Sequence, residues 1–135
     1  MQLSNRARWV LLIGDILALL FFVAEGQREH ETLDPLNPLF GILLTALYYA
    51  PVWALVAWVL GAYPRDRLST RRLLMRSLNA WLVAAPLATL VRAYALNRAV
   101  IPTLFLAVSL AVGGALLLGW RALFTWLMSR RQSAG

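Results

Sequence analysis

Residues 8–24 read RWVLLIGDILALLFFVA, and this stretch decides the fold. A predominantly apolar run opened by arginine and tryptophan predicts a helix through a hydrocarbon core about 30 Å thick, which takes roughly 20 helical residues. The run extends to Gly26, so the first span covers about residues 8–26. Three more stretches follow the same rule: Pro38 to about Gly61, Leu73 to Leu96, and Pro102 to about Trp126. Asn37 is placed to cap the second span with Pro38 at its first helical position, and Ser69 or Thr70 to cap the third. A closed barrel needs alternating strands, which these runs lack. Lipid offers no partner for open backbone groups, so helices are the reading left. The expectation is an all-α integral membrane protein, a four-transmembrane-helix bundle forming a single domain over residues 1–135.

Composition agrees. Apolar residues make up 61% of the 135-residue chain and charged ones 14%, against roughly 45–50% and 25% in a soluble domain. That balance excludes disorder and a water-soluble sandwich. With no cysteine, a disulfide framework, a thiolate metal site and a cysteine nucleophile are excluded. A single histidine excludes a multi-histidine metal site within one chain. No metal and no cofactor is expected. The net charge of +7 would suggest nucleic-acid binding in a soluble protein. Here the arginines stand between apolar runs, which is membrane-flanking charge, so the expected partner is the lipid bilayer and not nucleic acid.

The first run has the basic start of a signal peptide. Asp15 interrupts it, however, and Phe22 stands where a small residue is needed before a cut after Ala24. A retained span is the reading. Orientation follows from arginine in short loops. The N-terminal tail, the 62–72 loop and the C-terminal tail together hold eight arginines: Arg6, Arg8, Arg65, Arg67, Arg71, Arg72, Arg130 and Arg131. The loop after the first span holds Arg28 among Glu25, Glu29, Glu31 and Asp34. Both termini should be cytoplasmic, in a multi-pass protein of the cell (inner) membrane. Trp9, Trp58, Tyr63, Trp120 and Trp126 are then expected as anchors at the cytoplasmic interface.

Asp15 is the sharpest signal, because an ionisable group inside a span marks a functional site by default and calls for a named partner. It lies six residues past Trp9, about 9 Å along a helix. Arg121 lies five residues before Trp126 on the descending fourth span, at matching depth, and Arg8 is the rival partner one helical face back. A carboxylate beside a guanidinium stays ionised, whereas burial without one favours its protonation. Asp15 is therefore a structural lock, a proton or ion site, or a group that snorkels to the interface. A second charged layer is expected near the outer face. Arg92 sits there behind Ala85, Ala88 and Thr89, with Glu25 its closest partner and Glu29, His30, Glu31 and Asp34 in the facing loop. One histidine among carboxylates is a weak metal signal, and a solvated acidic loop accounts for it as well.

Ala107, Ala111, Ala115 and Gly119 recur every four residues on the fourth span, beside Gly113 and Gly114, the spacing that lets helices approach closely in lipid. The stripe faces either the other three helices or a second copy. Thr45, Tyr48, Tyr49 and Asn79 are polar groups suited to bridging helices. Ala50-Pro51 and Ala85-Pro86 occupy similar positions in neighbouring spans. Paired prolines can mark the broken helices of transporters, although proline is simply more frequent in membrane helices.

Gly14-Asp15-Ile16-Leu17-Ala18, the loop with His30-Glu31, Trp81 to Pro86 leading to Arg92, and Leu118-Gly119-Trp120-Arg121 together resemble the small prokaryotic membrane proteins of domain-of-unknown-function family 3054. The resemblance runs from about Arg8 to Phe124 and implies a multi-span membrane protein with no assigned catalytic residue. Three function classes follow. The first is a non-enzymatic accessory or scaffold subunit within a homo-oligomer or larger membrane complex. The second is a small oligomeric transporter or ion-coupled carrier using Asp15, similar in outline to small multidrug transporters, which carry a glutamate there. The third is a membrane enzyme, for which no nucleophile–base pair, phosphate-binding loop or metal motif speaks.

Overall fold

A computed structural model describes residues 3–29, 35–97 and 103–133. Four helices follow one another: α1 (Asn5–Glu29), α2 (Pro38–Val59), α3 (Thr70–Ala95) and α4 (Thr103–Ser133). Each is long and apolar enough to cross a membrane. At one end or both, α1, α3 and α4 overrun the apolar stretches read from sequence, whereas α2 stops at Val59. α1 starts before Arg8 and α4 continues past Trp126 to Ser133, because polar flanks in water cost a helix nothing that lipid would forbid.

Local chemistry accounts for the helix ends. Ser4 opens α1, its Oγ accepting from the Ala7 amide at 3.1 Å. Asn37 caps α2 ahead of Pro38, accepting from Phe40 at 3.4 Å. Ser69 caps α3, accepting from Arg72 at 3.3 Å. At the far end of α2, Gly61 takes φ +68°, the left-handed region that glycine enters without penalty. The Gly61 amide then donates to Trp58 at 3.1 Å and the Ala62 amide to Ala57 at 2.7 Å, the paired bonds of a Schellman ending. This turn aims Ala62 and Tyr63 back at the bundle. α2 and α3 run unbroken through Pro51 and Pro86.

Packing order is a square. α1 lies against α2, α2 against α3, α3 against α4, and α4 closes onto α1, leaving α1–α3 and α2–α4 as diagonals. Both ends of the chain and the α2–α3 loop therefore share one end of the bundle, where Leu3, Ala7, Leu11 and Phe124 pack with Tyr63 and Trp120. The central core holds Leu19, Trp53, Ala57, Ala80, Trp81, Ala84, Ala85 and Leu117. Leu17, Phe21, Leu47, Leu55, Leu90 and Val108 are exposed on the outside, as a lipid-facing surface requires.

Two indoles set the close approaches. A Cβ at Gly14 would overlap the ring of Trp120, whose Nε1 donates to the Leu11 carbonyl at 3.3 Å. Trp81 sits likewise against Gly113 and Gly114, its Nε1 donating to the Leu110 carbonyl at 3.0 Å. Trp120, expected as an interface anchor, is instead packed between α1 and α4, whereas Trp9, Trp58 and Trp126 stay exposed. Arg130 stacks on Trp126, its Cζ 4.0 Å from the ring centroid. The small-residue stripe points away from the other three helices: Ala107, Ala111, Ala115 and Gly119 are all exposed.

Candidate functional site

Asp15 faces inward from α1 because residues 11, 15 and 19 share a helical face, and all three side chains are buried. Arg121 faces inward from α4 one turn beyond Leu117 by the same periodicity. Antiparallel neighbours at equal depth then meet. Arg121 Nε donates to Asp15 Oδ1 at 3.0 Å and Nη2 to Oδ2 at 2.5 Å, a bidentate fork with neither side chain exposed.

Further partners of the pair come from other elements. Trp53 of α2 donates its indole N–H to Asp15 Oδ2 at 3.2 Å, and the Tyr63 hydroxyl donates to the same oxygen. Arg121 Nη1 donates to the Ala62 carbonyl and to Ser77 Oγ of α3, both at 2.8 Å. Ser77 passes its own proton to the Leu73 carbonyl at 2.7 Å. The guanidinium also lies against two aromatic faces, 5.1 Å from the Trp53 ring and 4.7 Å from that of Tyr63. One ion pair thus gathers all four helices and the α2–α3 turn.

Electrostatically the site is neutral, and its charges are satisfied locally. Burial, and then the negative charge of Asp15, push the Tyr63 hydroxyl above the ordinary phenol range, with Arg121 pulling the other way. Tyr63 therefore stays a proton donor. The carboxylate accepts four hydrogen bonds, and this dense bonding offsets the desolvation cost of the buried charges. Such an arrangement ties the four helices to one another.

The pieces brought together here come from the two ends of the chain, the segments around Asp15 and Arg121. The family described as "Protein of unknown function (DUF3054)" matches residues 12–124, which takes in both. The chain belongs to this family. No curated protein and no solved structure matches it.

In this family member one expected contact of the outer charged layer is not formed. Arg92 does not reach Glu25. Glu25 lies 3.9 Å from Arg28, one turn along its own helix, and Arg92, half-buried, has a buried Nε with no hydrogen-bond partner among the described residues. α1 and α3 are diagonal in the square, so the backbones that carry the two side chains stay apart, and only large side chains such as Phe22 and Trp81 meet across it. His30, Glu31 and Asp34 lie outside the described residues. Arg8, the rival partner for Asp15, turns instead to Asn5 Oδ1.

Other polar groups sort by which neighbour they face. Tyr49 donates to Thr89 Oγ1 at 3.1 Å, since Thr89 spends its proton on the Ala85 carbonyl. Thr45 accepts from Gln27 at 2.8 Å, and Gln27 also donates to the Gly41 carbonyl at 3.1 Å. Asn79 is exposed, and no hydrogen bond links it to another helix among the described residues. Sequence reasoning missed Gln27, Trp53, Ser77 and the inward role of Tyr63. A legible cue existed for Tyr63: a glycine two residues earlier, at the end of an apolar run, is a helix-ending signal that turns the chain.

Proposed function

We propose that this chain is a non-enzymatic accessory or scaffold subunit of the cell (inner) membrane, with both termini cytoplasmic. The observation that carries the reading is the set of four hydrogen bonds that Asp15 accepts from Arg121, Trp53 and Tyr63. A carboxylate that handles protons or ions exchanges partners with its cargo, and this one has four donors from three other elements. That favours a rigid unit over the carrier reading. The outward stripe Ala107, Ala111, Ala115 and Gly119 gives such a unit a place for a partner helix, from a second copy or from a larger complex.

The test uses Asp15→Asn. A scaffold held by this pair loses folded protein from the membrane fraction. A carrier accumulates the variant normally and loses flux alone, which would overturn the proposal. Cysteine introduced at Ala111 or Ala115 into this cysteine-free chain should cross-link to a partner in native membranes, while cysteine at lipid-facing Leu47 should not. Reporter fusions after Gly135 test the orientation, and a periplasmic C-terminus would reverse it.

A further inference from the structure

The terminus-bearing end of the bundle carries an open groove of about 460 Å³ between α1 and α2, lined by Asn5, Arg8, Trp9, Leu12, Ala54, Leu55, Trp58 and Tyr63. That volume falls in the range of small-molecule sites. Its chemistry is graded along the helices. The deeper walls, Leu12, Ala54 and Leu55, are apolar. Trp9 and Trp58 stand exposed on opposite sides, 65% and 63% accessible. Arg8 lies in the first turn of α1 with its Nη2 on Asn5 Oδ1 and its buried Nε without a hydrogen-bond partner among the described residues. A guanidinium with an unmatched buried N–H, above an apolar trough and between two interfacial indoles, is complementary to an amphiphile with an anionic head.

We propose that this groove is a binding site for an anionic phospholipid. The headgroup phosphate is held by Arg8 and flanked by Trp9 and Trp58, with an acyl chain lying along Leu12, Ala54 and Leu55. Arginine's fork matches phosphate oxygens, and basic pockets between membrane helices select anionic headgroups. Tyr63 forms the inner wall and also donates to Asp15, so a bound lipid braces the turn that completes the ion pair. The inference is independent of the scaffold reading, because a carrier would bind lipid there equally well.

Native mass spectrometry of the detergent-solubilised chain with equal phosphatidylglycerol and phosphatidylcholine tests it. Wild type should retain phosphatidylglycerol adducts in preference, and Arg8→Gln should weaken that preference about tenfold, the loss of one charge-assisted contact. Ala54→Phe fills the trough from the other wall without touching the guanidinium and should lose the adduct as well. Arg65→Gln, an exposed arginine on the same end outside the groove, should change nothing. Melting temperature monitors folding of each variant. Equal retention of both lipids, or equal loss in Arg65→Gln and Arg8→Gln, would overturn the site. Displacement by millimolar inorganic phosphate alone would show a free-anion site and overturn the lipid assignment.

Discussion

Asp15 and Arg121 stand 106 residues apart in the chain and meet as a two-point fork, Nε on Oδ1 at 3.0 Å and Nη2 on Oδ2 at 2.5 Å, with no exposed surface on either side chain. Removing one partner of such a pair leaves an uncompensated buried charge, which costs about 3–5 kcal/mol. Asp15→Asn and Arg121→Gln should therefore each lower the melting temperature of the solubilised protein severely. The double variant should be more stable than the sum of the single losses predicts, because no unpaired charge remains. Simple additivity in a thermal-melt cycle would show that the two residues do not stabilise one another.

Tyr63 supplies the pH dependence. Its folded-state pKa is raised above the ordinary phenol value, first by burial and then by Asp15. A raised folded value means the unfolded chain gives up this proton first. The stabilisation is therefore complete below about pH 10, the unfolded value, and declines as pH rises beyond it. Melting temperatures taken from pH 7 to 11 should fall more steeply above about pH 10 in wild type than in Tyr63→Phe. At neutral pH the same substitution should cost roughly 1–3 kcal/mol, since it removes a buried donor to a carboxylate. Parallel alkaline limbs would remove Tyr63 from the network.

Depth along a helix is legible in sequence, and bundle order is much less so. Counting residues from interfacial tryptophans put Asp15 and Arg121 at one level, and the structure brings them together because α1 and α4 are neighbours. Nearness to the outer helix ends put Arg92 with Glu25, but those belong to diagonal helices, and Glu25 lies beside Arg28 on its own helix. A one-dimensional coordinate cannot separate neighbours from diagonals. Aromatic residues obscure the rest. Trp53 and Tyr63 read as ordinary membrane aromatics in the linear chain, and only the turn at Gly61 and the approach of four helices reveal their N–H and O–H groups as donors to Asp15. The direction of the Ala107–Gly119 stripe was open for the same reason: small residues permit contact on any side without naming the partner.

Gly14 tests the α1–α4 seam. A Cβ there would overlap the Trp120 indole, a rigid ring that can yield only by leaving the Leu11 carbonyl. Gly14→Ala should destabilise by about 1–3 kcal/mol, the range for overpacking, and Trp120→Phe should recover part of that loss. Gly119→Ala is the control on the same pair of helices, because nothing lies within 4 Å of the added atom; it should be neutral or slightly stabilising through helix propensity. Equal effects at the two glycines in thermal melts would show that the seam is looser than its geometry.

Gly61 tests whether the α2 ending builds the site. Its φ of +68° disfavours any side chain, and an added Cβ would lie 3.0 Å from Arg76 Nη1, the same nitrogen that donates to the Gly61 carbonyl at 3.2 Å. Gly61→Ala should therefore cost about 1 kcal/mol or more from backbone strain. A strain confined to the loop would stop there. The turn, however, delivers the Ala62 carbonyl to Arg121 and the Tyr63 hydroxyl to Asp15, so disturbing it also loosens the ion pair. The loss from Gly61→Ala should accordingly shrink in the Asp15→Asn, Arg121→Gln background, where those two contacts have lost their partners. An undiminished loss in that background would mean that the turn and the pair are independent, and that Ala62 and Tyr63 reach the core by other means.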